Sequence, residues 1–163
     1  KATPEISPLA AAVGRIPSGV FILVAGNGAG ATTGLLASWI QQASFSPPQV
    51  TVAVNQSRYL NEWLTDGSSV TLNQVAKGDN SLFRHFGKGF EPDADAFAGV
   101  EHVPASNGLP TLPIALSVLQ GTVSGRMDAG DHVIYLIDVT DGMIQATDGS
   151  EPYVHLRKNG LSY

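Results

Sequence analysis

Cysteine is absent from the 163 residues. That excludes a disulfide framework, a Cys-ligated zinc or iron–sulfur site and a thiol nucleophile, and it leans the protein towards a reducing compartment, the cytoplasm. Charge is also scarce, at 14% against the roughly 25% of an ordinary globular chain. A surface so weakly charged is expected to be partly covered by a partner, a sister subunit or a bound ligand. The net charge is −5 and no run of Lys or Arg exceeds two residues, so the basic footprint that nucleic acid requires is missing. The apolar run at Phe21–Ala25 is far too short to span a bilayer, and no signal peptide is visible. The 18 glycines and 10 prolines are too few for a disordered chain. The chain opens on Lys1 rather than Met, which reads as an excised domain or a processed product.

What remains is one domain's length of chain with 43% apolar residues, enough to bury a core. Lys1–Pro8 reads as a lead-in and Leu9–Val13 as a helical turn ending at Gly14. Ser18–Ala25 is a strand whose unbroken apolar run suits burial on both faces. Ala31–Gln42 is open between strand and helix, and Ser46-Pro-Pro48 breaks the chain. Val50–Val54 and Ser69–Gln74 read as strands, and Ser57–Thr65 and Ser81–Gly87 as short helices. Further on, Ile114–Ser124, His132–Val139, Met143–Thr147 and Tyr153–Arg157 are strand-like. The turn-like connectors between them, Gly125–Gly130, Thr140–Gly142 and Asp148–Pro152, are too short for parallel crossovers. The expectation is a mainly β fold: a six- or seven-stranded antiparallel barrel with short helices attached.

Chemistry-bearing patterns are few. Gly26-Asn-Gly28-Ala-Gly-Ala31 fits a dinucleotide fingerprint. No acid follows the next strand to hold a ribose, so a glycine-rich β-turn is the better reading. The four histidines lie at 85, 102, 132 and 155 without metal-ligand spacing. Asp131 and His132 are adjacent, and strand alternation would point them to opposite faces; no metal site is expected. Gly121-Thr-Val-Ser124-Gly has the wrong spacing for a nucleophile elbow, and Glu62 with Asp66 reads as a solvated helix face. Two patches stand out. Ser38-Trp-Ile-Gln-Gln42 combines hydroxyl, aromatic and amide groups that suit a planar heteroaromatic ligand, or an amphipathic element. Asn55-Gln-Ser-Arg-Tyr59 lies between a strand and a short helix, where N–H groups, a hydroxyl and a guanidinium could cradle a phosphate, or where Ser57 could simply cap the helix. Together they fit a ligand with a ring and a phosphate.

The order of four segments resembles the flavin reductase-like, FMN-binding split-barrel domains over about Gly14 to Tyr163. Gly34–Pro48 is similar to the family's Gly-x-Thr-Ala-Ser-Ser-Phe-x-Ser-Val-Ser-x-x-Pro-Pro, and Val70-Thr-Leu-Asn73 to its strand ending in asparagine. Gly130-Asp-His132 is similar to its Gly-Asp-His, and Arg157-Lys-Asn-Gly160-Leu-Ser-Tyr163 to its Arg-x-x-Gly-x-x-Tyr. Within the family, the wording at Trp39–Gln42 most resembles the C-terminal module of cyanobacterial flavodiiron proteins. The resemblance implies a lead-in over 1–13 and a split-barrel domain over 14–163. It implies FMN rather than FAD as cofactor and NAD(P)H as cosubstrate. It implies a homodimer attached to flavodoxin-like and lactamase-like diiron domains of the same polypeptide, where oxygen is reduced to water; the diiron centre lies outside this domain. Carried over by position, Leu36, Ala37, Ser38, Trp39 and Gln41 line the isoalloxazine. Ser57, Arg58 and Tyr59 hold the phosphate, Asn73 touches the ribityl chain or ring, and His132 faces the flavin or the nicotinamide. Leu36 and Trp39 replace the family's threonine and second serine. That departure favours an alternative, a non-catalytic dimerisation or regulatory module with a degenerate pocket.

Overall fold

The structure, a computed structural model, describes residues 4–145 and 149–163. In chain order its elements are α1 (Pro8–Gly14), β1 (Ser18–Gly19), β2 (Phe21–Gly26), β3 (Thr32–Ala37), β4 (Ile40–Ser44), β5 (Gln49–Asn55), α2 (Leu60–Trp63) and β6 (Ser69–Gln74). They continue with α3 (Ser81–Phe86), β7 (Val103–Pro104), β8 (Pro110–Thr111), β9 (Ser117–Ala129), β10 (His132–Ile144) and β11 (Val154–His155). Seven strands form one antiparallel sheet in the order β3-β2-β6-β9-β10-β5-β4. Its two edge strands, β3 and β4, are consecutive in the chain and joined only through Ser38 and Trp39. A sheet whose opposite edges are tied by two residues must curl back on itself. The result is a barrel closed by chain connectivity rather than by hydrogen bonds along the β3 edge: a split barrel.

The barrel interior holds Leu23, Val52, Val54, Leu72, Tyr135 and Ile137. A second core lies outside, where α3 and the segment before β9 cover Ile22, Val24 and Val118 with Leu82, Phe86 and Phe97. Strand β2 separates the two. Leu23 and Ala25 face inward, Ile22 and Val24 face outward, and all four are buried. This is why its sequence is apolar without alternation.

The region left open between strand and helix, Ala31–Gln42, is strand in both halves. Gly26–Ala31 is the hairpin turn before it, where the Asn27 carboxamide oxygen accepts from the N–H groups of Ala29 (2.8 Å) and Ala31 (3.1 Å). With a strand rather than a helix following, there is no helix N-terminus for a pyrophosphate.

Two expected connectors lie inside strands. Residues 125–129 continue β9, and only Gly130, with φ +60°, and Asp131 make the turn. Thr140–Gly142 lies within β10. The small and polar residues there mark bulges instead. Ser124 and Thr140 are each left without a partner in the β9–β10 ladder, and their hydroxyls bond to Leu136 O (3.3 Å) and Gln120 O (3.2 Å). Bulges raise local twist and bend long strands, which curls the 13-residue hairpin arms around the barrel. Consequently Met143 and Ile144 end β10 and do not begin another strand, while Thr147 and Asp148 lie outside the described residues.

Helix α1 is capped by Ser7, whose hydroxyl accepts from Ala10 N at 3.1 Å, with Pro8 at its first turn. It docks on the end of the described chain: Arg157 N donates to Gly14 O (3.1 Å) and Gly160 N to Ala10 O (2.7 Å). Among the described residues no helix is long and apolar enough to cross a membrane.

Candidate functional site

A cleft of about 500 Å³ opens at the split of the barrel, within the roughly 300–1,000 Å³ usual for small-molecule sites. Leu35, Leu36 and Ala37 of β3 form one side and Ala53, Val54 and Asn55 of β5 the other. Ser38 and Trp39, the link between the sheet's edges, lie between them. Val20, Phe83 and Gly87 from the outer core, and His155 and Tyr163 from the last segment, complete the wall. The split exists because β3 has no partner on one side, so the topology that closes the barrel through two residues also makes the cleft.

Its chemistry is graded. The floor is apolar, with Val20, the two leucines, Ala53 and Val54. Trp39 and Phe83 are planar walls, and Phe83 is held by Tyr153 at 4.7 Å between ring centroids. One end is cationic. The Arg58 guanidinium is exposed and, among the described residues, has no carboxylate partner. It lies against Gly89, where an added Cβ would stand 2.9 Å from its Nη1. Arg157 sits over the Trp39 ring at 4.9 Å, a cation–π contact. Burial, and then the charge of Arg157, push the His155 imidazole below its ordinary pKa.

Six of the ten residues expected at the site line this cleft: Leu36, Ala37, Ser38, Trp39, Ser57 and Arg58. The other four do not. Gln41 is exposed on β4. Tyr59 lines a small adjoining hollow of about 20 Å³, and its hydroxyl donates to Phe90 O at 2.7 Å, beside Thr33 Oγ1 at 3.1 Å. Asn73 is fully buried in β6. Its amide donates to Ile22 O (3.1 Å) and Thr71 Oγ1 (3.3 Å), and its oxygen accepts from Leu112 N (2.9 Å), which spends the whole side chain on pinning the outer segment to the barrel. His132 begins β10 opposite Asn55 and is 7% exposed, set behind Trp39 with ring centroids 4.4 Å apart.

Two local expectations change. The Ser57 N–H and hydroxyl both donate to Asn55 Oδ1 at 2.9 Å, and Arg58 N donates to Asn55 O at 3.1 Å. The following helix has four residues and starts only at Leu60. The phosphate cradle read from the sequence therefore reduces to the Arg58 guanidinium, because those N–H groups close a turn. Asp131 and His132 also touch, Oδ1 to Nδ1 at 2.7 Å, since Asp131 lies in the turn and not in the strand. A carboxylate only accepts, so Nδ1 carries the proton, and in the neutral ring Nε2 accepts from Tyr163 Oη at 2.6 Å.

Tyr163 and His155 escaped sequence reasoning as cleft residues. The Arg157–Tyr163 pattern marked the segment, but only β11 pairing with β1, Ser18 opposite His155, brings it to the cleft.

The flavin reductase like domain family matches residues 13–160. Diflavin flavoprotein A 1 of Synechocystis sp. is 42% identical over 158 residues, a stretch covering 96% of this chain and 27% of that protein. The chain thus spans about a quarter of the length of this relative. Among solved structures, the NADH:FAD oxidoreductase SgcE6 of Streptomyces globisporus superimposes with a TM-score of 0.82 at 23% identity, covering 96% of this chain and 94% of that one. It has also been solved in complex with NAD and FAD fragments. The styrene monooxygenase flavin reductase of Pseudomonas putida S12 gives 0.73 at 21%, covering 92% and 93%.

Proposed function

The chain belongs to the flavin reductase like domain family, and from that premise we propose that it is a flavin-binding NAD(P)H oxidoreductase module, with FMN as its cofactor. The observation that carries this is the cleft itself, lined by apolar side chains, by the aromatic rings of Trp39 and Phe83, and by an arginine with no carboxylate partner among the described residues. Those groups fit a planar tricyclic ring with a phosphate tail, and about 500 Å³ remains with Trp39 in the wall. Bound flavin supplies the redox chemistry, accepting a hydride from NAD(P)H and passing two electrons on.

The chain's residues bind, orient and exclude water. Leu35, Leu36, Ala53 and Val54 desolvate one ring face, Trp39 and Phe83 fix its plane, and Ser38 offers a hydroxyl to its polar edge. Arg58 holds the phosphate, in a chain whose net charge is −5, so the anion is drawn by a local cation and not by the overall field. Flavodoxin-like and diiron domains of the same polypeptide would receive the electrons and would supply the chemistry of oxygen reduction, four electrons from two NAD(P)H and four protons for each O₂ taken to two waters. The coverage of the relative supports such neighbours. The module takes in residues 14–163 after a lead-in over 1–13, acts in the cytoplasm, and pairs with a second copy that covers part of its weakly charged surface.

One observation favours a second reading, a non-catalytic dimerisation or regulatory module: the polar groups of Ser57 are already spent on Asn55. Titration with FMN, followed through quenching of flavin fluorescence, separates the two. Saturable binding, with bleaching of the visible flavin band by NADH or NADPH under anaerobic conditions, is the expected result. Absence of binding would sink the catalytic reading and leave the second.

A further inference from the structure

His132 lies next to the cleft yet does not line it: its ring packs on Trp39 and its Nε2 is bonded to Tyr163. Within residues 156–163, Arg157 sits over the Trp39 ring and Tyr163 lines the cleft. Near their start, α1 and this segment meet backbone to backbone. A Cβ on Gly160 would collide with Gly14 N and Val13 C, and one on Gly14 with Arg157 O. The two hydrogen bonds from Arg157 N and Gly160 N lock the same place. Beyond it the ties thin out. Leu161 N bonds to Asn159 Oδ1 within the segment, and Tyr163 is 80% exposed. Tyr163 is held by its hydroxyl on His132 Nε2 and by a stack on Trp39, with centroids 6.2 Å apart and planes 28° apart.

We propose that residues 156–163 are a strap, hinged on the Gly14–Gly160 contact, whose Tyr163 end covers the His132 imidazole and swings away before that imidazole can meet a ligand. The hinge is rigid because two backbones touch with no side chain between them. Tyr163 is readily released because, among the described residues, one hydrogen bond and one exposed stack hold it. Gly14 and Gly160 are positioning residues: they touch nothing in the cleft but place Arg157 and Tyr163 on Trp39. Only the ligand arm of the test below rests on the flavin reading.

The chain has two tryptophans, and Trp39 reports on the strap. In a Trp63→Phe background, with no ligand, Trp39 emission and its quenching by acrylamide are compared among the parent, Tyr163→Phe and Gly160→Ala. A Trp39→Phe background follows Trp63, which packs on the barrel core, as the control for general damage. The expected result is greater quenching of Trp39 in both variants with Trp63 unmoved. Loss of one hydrogen bond opens the strap roughly fivefold more often. Unchanged Trp39 quenching, or parallel movement of Trp63, would overturn the proposal. If Gly160→Ala does not fold, Tyr163→Phe, an exposed and conservative change, decides alone. In the ligand arm, stopped-flow association of FMN is expected to quicken about fivefold in Tyr163→Phe, and equal rates would overturn the gating role. Failure of FMN to bind either form counts against the flavin reading, and the ligand-free Trp39 measurement then decides the strap.

Discussion

Asn73→Leu is expected to weaken the fold and leave flavin affinity intact. The position is fully buried, and leucine is close in volume, so the change removes hydrogen bonds with little cavity. The Leu112 N–H, in a fully buried residue, loses the one acceptor it has among the described residues. The Ile22 carbonyl loses one donor at 3.1 Å but keeps a second lone pair. With about 1–3 kcal/mol for a buried group left unpaired and a smaller cost at the carbonyl, the loss is about 2–4 kcal/mol. Total stabilities run about 5–15 kcal/mol, so the urea midpoint should fall clearly with its slope unchanged. The melting temperature should drop on the order of 10 °C. FMN titration of the folded variant should give an unchanged dissociation constant. A variant that keeps its stability within about 0.5 kcal/mol but loses FMN would refute the placement of Asn73 outside the cleft. Asn73→Asp is the companion test. It keeps an acceptor for Leu112 N–H but buries a carboxylate whose pKa desolvation raises. Its stability should be fullest below the unfolded carboxyl pKa and be lost as pH rises through the raised folded value.

Three further outcomes follow from the same geometry. Gly34→Ala places a methyl 2.6 Å from the buried Phe86 ring and 3.3 Å from Ile22 Cγ2, and should cost about 1–3 kcal/mol in denaturant unfolding. Arg58→Ala removes the cation at the end of the cleft and should weaken FMN roughly ten- to a hundredfold, with less salt dependence; because the side chain is exposed, the melting curve should not move. His155 titrates below its ordinary 6.5 in the folded chain, through burial and then Arg157. The unfolded chain therefore takes up that proton first as pH falls. The parent should lose stability from about 6.5 downwards, until the folded pKa is passed. In His155→Gln that part of the decline should be missing from urea midpoints measured across the range.

The split is the feature that joins fold to site. A barrel closed by hydrogen bonds all round would bury the edge of β3 against a neighbour. Here its two sheet edges are joined by Ser38-Trp39, and the half-buried leucines of β3 face a cleft instead. The residues that make the link are thus also residues that wall the cleft, which is why a single stretch of sequence, Leu36–Trp39, supplies so many of the expected residues that line it.

Local chemistry was enough for several elements. The doubly apolar run of β2, the alternation of β5 and the short helices at Leu60 and Ser81 rest on periodicity and turn residues, and all stand in the fold. The antiparallel class followed from connector length, and the family from the order of four short segments. The bulge at Thr140 was read as a turn, because Thr140, Asp141 and Gly142 carry the chemistry a turn would use, and the turn expected from Gly125 begins one residue after the bulge at Ser124; only the facing strand shows where the bulges fall. The resemblance implies ligand contacts for Asn73 and Tyr59, because it carries over positions and not the partners those side chains find in this chain. Whether such a group is free depends on which carbonyl or N–H reaches it first, and here those partners come from Ile22, Phe90 and Leu112, 31 to 51 residues away. The same reason hid Tyr163. Its place over His132 and Trp39 is set by two glycine backbones touching across most of the chain's length, a contact between residues that carry no side chain for a sequence pattern to show.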